Sequence, residues 1–156
     1  MLKIIFAAPL NIIPMNNSKY NTMYMEMAVV AAKYSAAVRS QVGALIVKDN
    51  NIISTGINGT PSGWTTNVCE ITTPDGELIT PQYVLHAEKH ALLKLSKSQE
   101  SCMGATLFCT YSPCLMCSID LYEAGIREIF YLHQYRDLTG VNYLRAYGIP
   151  VTQLII

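Results

Sequence analysis

The chain has 156 residues and balances 11 basic against 11 acidic side chains, for a formal net charge of +0. Apolar residues make up 51% and charged ones 14%, which excludes a disordered or fibrous chain and leaves room for one compact domain with a sizeable core. No basic excess is present to neutralise phosphates, which argues against a nucleic-acid partner and for a small substrate.

In chain order, the opening "MLKIIFAAPLNIIP" sets Lys3 before an apolar run, as a signal peptide would. Asn11 and Pro14 interrupt it and no clear small-residue cleavage site follows, so a first strand or packed arm over residues 1–19 is expected instead. No run reaches the roughly 18 apolar residues of a membrane span, and no membrane contact is expected. From Tyr20 to Val38 the spacing of Tyr24, Met27, Ala28, Ala31, Tyr34 and Val38 predicts a helix. The cluster Met23, Met25 and Met27 reads as adaptable core filler.

"VGALIVKDNNIISTGI" then predicts two strands joined at Asp49-Asn50-Asn51. From Asn58 to Pro81 the turn signals "NGTPSG" and "PDG" predict a long irregular region, with an insertion loop at about 62–83. A loop of that size in a small domain is usually functional or mobile. Next come a helix at "YVLHAEKHALLKL", a strand at "GATLFCTY", a helix at "CLMCSIDLYEAG" and a strand at "REIFYLH". A short helix near Val141 to Tyr147 precedes the closing "IPVTQLII". A hairpin followed by alternating helices and strands indicates an α/β layered domain, parallel in its later part. No repeat or linker divides it, so residues 1–156 are expected to form a single domain.

Five cysteines occur, Cys69, Cys102, Cys109, Cys114 and Cys117. An odd count without a signal peptide points to a reducing compartment, hence a cytoplasmic location. Cys114 and Cys117 stand three apart at a predicted helix start, where two sulfurs face one side and the helix dipole favours thiolates. Pro113 sets the entry of the chain into that helix. Alone this pair is ambiguous between a redox couple, half of a structural zinc site and two small core residues. The preceding "TYSP" offers no thioredoxin-like context, and His90 and His133 lack finger-like spacing for a closed four-ligand site.

His86 supplies a third ligand at another helix start. Three protein ligands leave a fourth position for water, the layout of a catalytic rather than a structural zinc site. Glu88 then needs no ligand role and is placed to move protons for that water.

"HAE" followed by "PCLMC" fits the pattern H-x-E…P-C-x-x-C, and the chain here resembles the zinc-dependent cytidine and deoxycytidylate deaminase family. The turn Gly56 to Pro61 in "GINGTP" and the Tyr-x-Asp at Tyr135 to Asp137 extend the resemblance over roughly Tyr20 to Tyr147, most closely to deoxycytidylate deaminases. It implies a three-layer α/β/α fold around a central mixed sheet of about five strands. The implied reaction is hydrolysis of dCMP to dUMP and ammonia for deoxynucleotide supply. In it, activated water attacks C4 while Glu88 shuttles protons to N3 and the leaving amine.

The same resemblance implies that Asn58 contacts sugar and base, that Ala87 and Ser112 contact the base edge through backbone groups, and that Tyr135 closes over the sugar or phosphate. Plainer readings stand beside two of these, a turn asparagine and a packed aromatic. For the phosphate, Arg39 and Ser40 are the first choice and Arg136 or Lys33 the next, each against a solvated helix end. His90 replaces a frequent family asparagine and reads either as a group behind His86 or as a structural histidine. Cys69 raises the thought of a second zinc, but no local partner is evident. Family members are commonly oligomers, often hexamers, with dCTP and dTTP as effectors and Mg2+ accompanying a triphosphate. Competing expectations are a deaminase of another cytosine nucleotide or of a base in RNA, and a zinc-stapled subunit that binds nucleotides without turnover.

Overall fold

A computed structural model describes residues 18–156. Its centre is a five-stranded sheet of β1 (Gly43–Lys48), β2 (Asn51–Ile57), β5 (Thr106–Tyr111), β6 (Glu128–His133) and β7 (Val151–Gln153) in the order β2-β1-β5-β6-β7. β1 pairs antiparallel with β2 and β5, whereas β5, β6 and β7 run parallel. The four helices are α1 (Ser18–Ala32), α2 (Ala87–Leu95), α3 (Leu115–Glu123) and α4 (Thr139–Ala146), and a small separate hairpin joins β3 (Ile71–Thr72) to β4 (Leu78–Ile79).

Strand alternation explains the layers. Ala44, Ile46, Leu107, Cys109, Ile129 and Tyr131 face one cluster with Ala91, Leu121 and Leu144 of α2, α3 and α4. The intervening Leu45, Val47, Phe108 and Phe130 face the other, with Tyr24, Met25 and Ala28 of α1. A sheet buried on both faces reads as near-continuous apolar runs, as "GALIV" and "TLFC" do. On the α1 side the Phe108 and Phe130 rings stack at 5.0 Å between centroids, and Tyr24 tilts onto Phe108 at 5.2 Å. The implied three-layer α/β/α fold with a mixed five-stranded sheet is what the chain adopts.

The β1–β2 turn is two residues long: Asp49 and Asn50 take φ of 49° and 61°, and Asn51 is already strand. Positive φ at both central residues is the demand of a type I′ hairpin, which Asp and Asn tolerate better than other side chains. Tyr24 donates a hydrogen bond of 2.8 Å to the Asn50 carbonyl and so ties α1 to this turn.

Several expectations are corrected. The first helix ends at Ala32, not Val38. Lys33, Tyr34 and Ser35 donate to carbonyls three residues back, and the Ser35 hydroxyl then donates to the Asn58 carbonyl at 2.7 Å. A side-chain bond of this kind offers the backbone an exit from the helix without glycine or proline. The buried face is Asn21, Tyr24, Met25, Ala28 and Ala32, so Met25 is core while Met23, Met27, Tyr34 and Val38 are exposed. The region from Asn58 to Pro81 is not wholly irregular, since "TPDG" turns the β3–β4 hairpin, closed by the Thr73 N–H to the Glu77 carbonyl at 2.8 Å. The last helix runs Thr139–Ala146, two residues earlier than its expected start. The expected N-terminal strand or arm lies outside the described residues, except that Ser18 and Lys19 already belong to α1.

Candidate active site

Four chain segments meet at one end of the sheet. β2 ends at Ile57 opposite the start of β1 at Gly43, and β5 and β6 end beside each other at Tyr111 and His133. The carboxyl ends of parallel strands, where following helices begin, are where α/β sheets form their crevices.

The "GINGTP" turn builds one wall. A Cβ on Gly56 would fall on the Ala87 carbonyl, so only glycine lets the first turn of α2 lie directly on β2. Gly59 and Leu85 exchange backbone hydrogen bonds at 3.0 and 2.8 Å, which fixes the chain just before His86. His86 takes the N-cap position of α2 with extended backbone, φ −70° and ψ 154°, and Glu88 follows in the first turn. On the other side Cys114 is the N-cap of α3, at φ −70° and ψ 169°, directly after Ser112 and Pro113 leave β5. Gly140 at the start of α4 lies where a Cβ would meet the Pro113 carbonyl, pressing α4 against this turn.

The two helix starts bring His86, Cys114 and Cys117 together, with their ligand atoms all within 4.8 Å of one another. His86 Nδ1 lies 3.6 Å from Cys114 Sγ and 3.4 Å from Cys117 Sγ. A tetrahedral zinc with Zn–N of about 2.0–2.1 Å and Zn–S of about 2.3 Å sets N···S edges of about 3.5 Å. The donor set therefore fits zinc in chemistry and in span. No disulfide joins the sulfurs. A hydrogen bond from Cys117, reinforced by one from His86, holds the Cys114 thiol at about 4. Cys117 is driven far above the ordinary thiol range by that same hydrogen bond and by burial, and His86 is raised chiefly by its bond to Cys114. A divalent cation would replace these shared protons, because thiols bind metals as thiolates.

Glu88 is buried, at 5% exposure, and burial pushes its carboxyl above the usual range. It lines a cavity of about 330 Å³ together with His86, Cys114 and Ala87. That volume lies at the small end of ligand pockets, suiting a ligand of mononucleotide size. Asn58, Ser112, Tyr135, Arg39, Ser40 and Arg136 also line the cavity, and Cys117 sits buried behind Cys114. Lys33 is not part of the wall.

Most of these side chains have structural partners. Asn58 Oδ1 accepts from the Val42 N–H at 2.8 Å and its Nδ2 donates to the Ser40 carbonyl at 2.7 Å, so it pins the segment carrying Ser40. Ser112 Oγ accepts from the Tyr135 N–H at 2.7 Å, locking two sides of the cavity to each other. Arg136 lies over the Tyr135 ring at 5.7 Å. His90 points elsewhere, with Nδ1 2.9 Å from the Ile57 carbonyl, and staples α2 to the end of β2. Cys69 is buried in a small cluster with Ala37 and Val84 and belongs to no metal-ligand group among the described residues. Glu70, Thr80 and Tyr111 line the cavity without having stood out in the sequence. The first two lie in a polar stretch with no periodicity, which carries no signal of its own.

A family model, the cytidine and deoxycytidylate deaminase zinc-binding region, matches residues 18–133. The chain belongs to the cytidine and deoxycytidylate deaminase family. Within that family, the deoxycytidylate deaminase of Mycobacterium phage D29 is 32% identical over 126 residues, covering 75% of this chain and 97% of the phage protein. The deoxycytidylate deaminase of Schizosaccharomyces pombe is 35% identical over 144 residues, covering 87% of this chain and 44% of the yeast protein. The chain spans about half the length of such fungal relatives. The crystal structure of dCMP deaminase from the cyanophage S-TIM5, in complex with dCMP and dUMP, superposes with a TM-score of 0.83 at 40% identity, covering 88% of this chain and 98% of that one.

Proposed function

We propose that the protein hydrolyses dCMP to dUMP and ammonia, with residues 1–156 as one catalytic domain. The observation that carries this reading is a single cavity lined by His86 and Cys114 of a three-donor group that could hold a metal, by a buried carboxyl beside them, and by two arginines, Arg39 and Arg136. The named activity of the deaminase relatives supports it.

His86, Cys114 and Cys117 would hold zinc. When bound, the ion would supply Lewis acidity, which lowers the pKa of water toward about 7. Glu88 accepts the proton of the attacking water, since its carboxyl lines the cavity and its burial favours the protonated form. It passes the proton to N3 of the cytosine, so the ring need not carry full negative charge as C4 is attacked. Glu88 then takes the proton of the hydroxyl now bonded to C4 and gives it to the amino group, so ammonia leaves as the C4 carbonyl forms. The backbone at Ala87 and Ser112 orients the base edge, while Asn58 and Tyr135 shape the sugar end. Arg39 and Arg136 receive the phosphate, through the charge-assisted hydrogen bonds that arginine makes with phosphate oxygens.

The reading extends to a reducing, cytoplasmic setting, supported by five free cysteines, and to a homo-oligomer, with a hexamer favoured. Among the described residues no helix is long and apolar enough to cross a membrane. Control by dCTP and dTTP, with Mg2+ on the triphosphate, is carried by family resemblance alone. The deciding experiment combines zinc analysis of the purified protein with deamination assays on dCMP, cytidine, dCTP and an RNA stem-loop. Stoichiometric zinc and a preference for dCMP are expected, with activity lost to a chelator and restored by zinc. Zinc without turnover of any of the four would overturn the reading.

A further inference from the structure

The β3–β4 hairpin reaches back to the cavity mouth and holds Arg39 at both ends. The Glu70 carboxylate, one residue before β3, accepts from the Val38 N–H at 3.1 Å through each oxygen and from the Arg39 N–H at 3.2 Å. Two successive backbone N–H groups form an anion-binding nest, and the chain fills this one with its own carboxylate. The Arg39 guanidinium extends to the other strand, donating to the Leu78 carbonyl and, at 2.6 Å, to Thr80 Oγ1. Ile71 pairs with Ile79 across the hairpin, so Glu70 and Thr80 are adjacent ends of one ribbon. Arg39, Glu70 and Thr80 all line the cavity.

We infer that Glu70 is a positioning residue for phosphate recognition, holding Arg39 in place so that the hairpin makes the cavity selective for a nucleoside monophosphate over the nucleoside. This rests on the proposed reading of the cavity as a dCMP site. The guanidinium is a five-donor fork with two contacts spent on the hairpin, which leaves donors for phosphate oxygens. An arginine fixed before the ligand arrives loses little freedom on binding, and preorganisation of that kind appears as affinity. Both carboxylate oxygens are taken up by the Val38 and Arg39 N–H groups, so Glu70 makes no hydrogen bond to the guanidinium and leaves the remaining guanidinium donors to the phosphate.

The test compares ligands that differ only in the 5′-phosphate. With dCMP as substrate, inhibition constants are measured for dUMP and for deoxyuridine in the wild type, Glu70→Ala and Glu70→Gln. Glu70→Ala is expected to raise the KM for dCMP and the inhibition constant of dUMP by about tenfold or more, with kcat within about threefold. Deoxyuridine binding should weaken far less, so the ratio of the two inhibition constants moves by about tenfold. Glu70→Gln keeps one acceptor and should fall between. In an Arg39→Gln background, Glu70→Ala should add less than about twofold, because both substitutions remove the same contact. Equal weakening of both inhibitors would overturn the inference, as would no change in either. If Glu70→Ala fails to fold, Glu70→Gln and Thr80→Val read the same ratio. A wild type without dCMP turnover would instead refute the proposed function, before any variant is made.

Discussion

A carboxyl group in the first turn of α2, buried to 5% exposure, is costly unless a cation or a proton compensates it. Glu88 lies two residues after a candidate metal ligand and shares its cavity, so both forms of compensation are at hand. The proposed proton shuttle asks this group to exist in two protonation states during one turnover. Glu88→Gln preserves shape and hydrogen-bonding capacity but removes proton uptake and delivery. Zinc content and thermal midpoint are expected to stay at wild-type levels while dCMP turnover falls by about 10²–10⁴-fold. Zinc analysis, a melting curve and a steady-state assay on one preparation decide it, and unchanged turnover would remove Glu88 from the mechanism. Loss of a ligand should look different: Cys117→Ser lowers zinc content first and activity as a consequence, because a thiolate donor is gone.

At the scale of elements, the site depends on how closely α2 approaches β2. Gly56 is the contact point, since a side chain there would strike the Ala87 carbonyl and come within 2.7 Å of the Ala91 nitrogen. Gly56→Ala is therefore expected to cost about 1–3 kcal/mol, the usual range for overpacking, and to shift His86 and Glu88 away from the sulfurs. Gly59 faces open space and has no positive φ. Gly59→Ala should accordingly stay within about 0.5 kcal/mol. Urea unfolding midpoints of the two variants provide the measurement, and equal midpoints would refute the close-packing account. The roles of these elements were unequally legible in the sequence. The alternating runs of β1, β5 and β6 announce themselves because both sheet faces are buried, and His86, Glu88, Pro113, Cys114 and Cys117 do so because the proposed zinc chemistry needs those residue types at that spacing. The end of α1 was hidden, because Ser35 breaks the helix by bonding to Asn58, 23 residues away. The phase of α1 is equally hidden, because methionines at 23, 25 and 27 fit more than one helix face, and only the sheet selects Met25. β3 and β4 are two residues each, too short for any periodic signal, so Glu70 and Thr80 came to light only through the fold.

For the molecule as a whole, the outer face of α1 bears on the proposed assembly. Tyr20, Met23, Met27 and Val30 are 41%, 39%, 42% and 53% exposed. Their intervals of three, four and three residues match the a/d seam of a heptad, while Tyr24, Met25 and Ala28 on the opposite side already pack on the sheet. An apolar stripe of this kind on an exposed helix face is a candidate interface, and a formal net charge of +0 removes long-range repulsion between copies. A second copy of the chain is the occupant best matched to a seam that is itself apolar and uncharged, because two such helices bury the same residues from both sides. Light scattering on the purified protein is expected to give a mass several-fold above the 17.3 kDa of one chain. Replacing Met27 and Val30 together with lysine should lower that mass, since like charges would then face each other wherever two copies meet through this stripe. The far-ultraviolet circular dichroism of the variant should match the wild type, because neither residue is buried within the chain. A wild-type mass equal to one chain would refute the oligomer, and an unchanged mass in the double variant would move its interface away from α1.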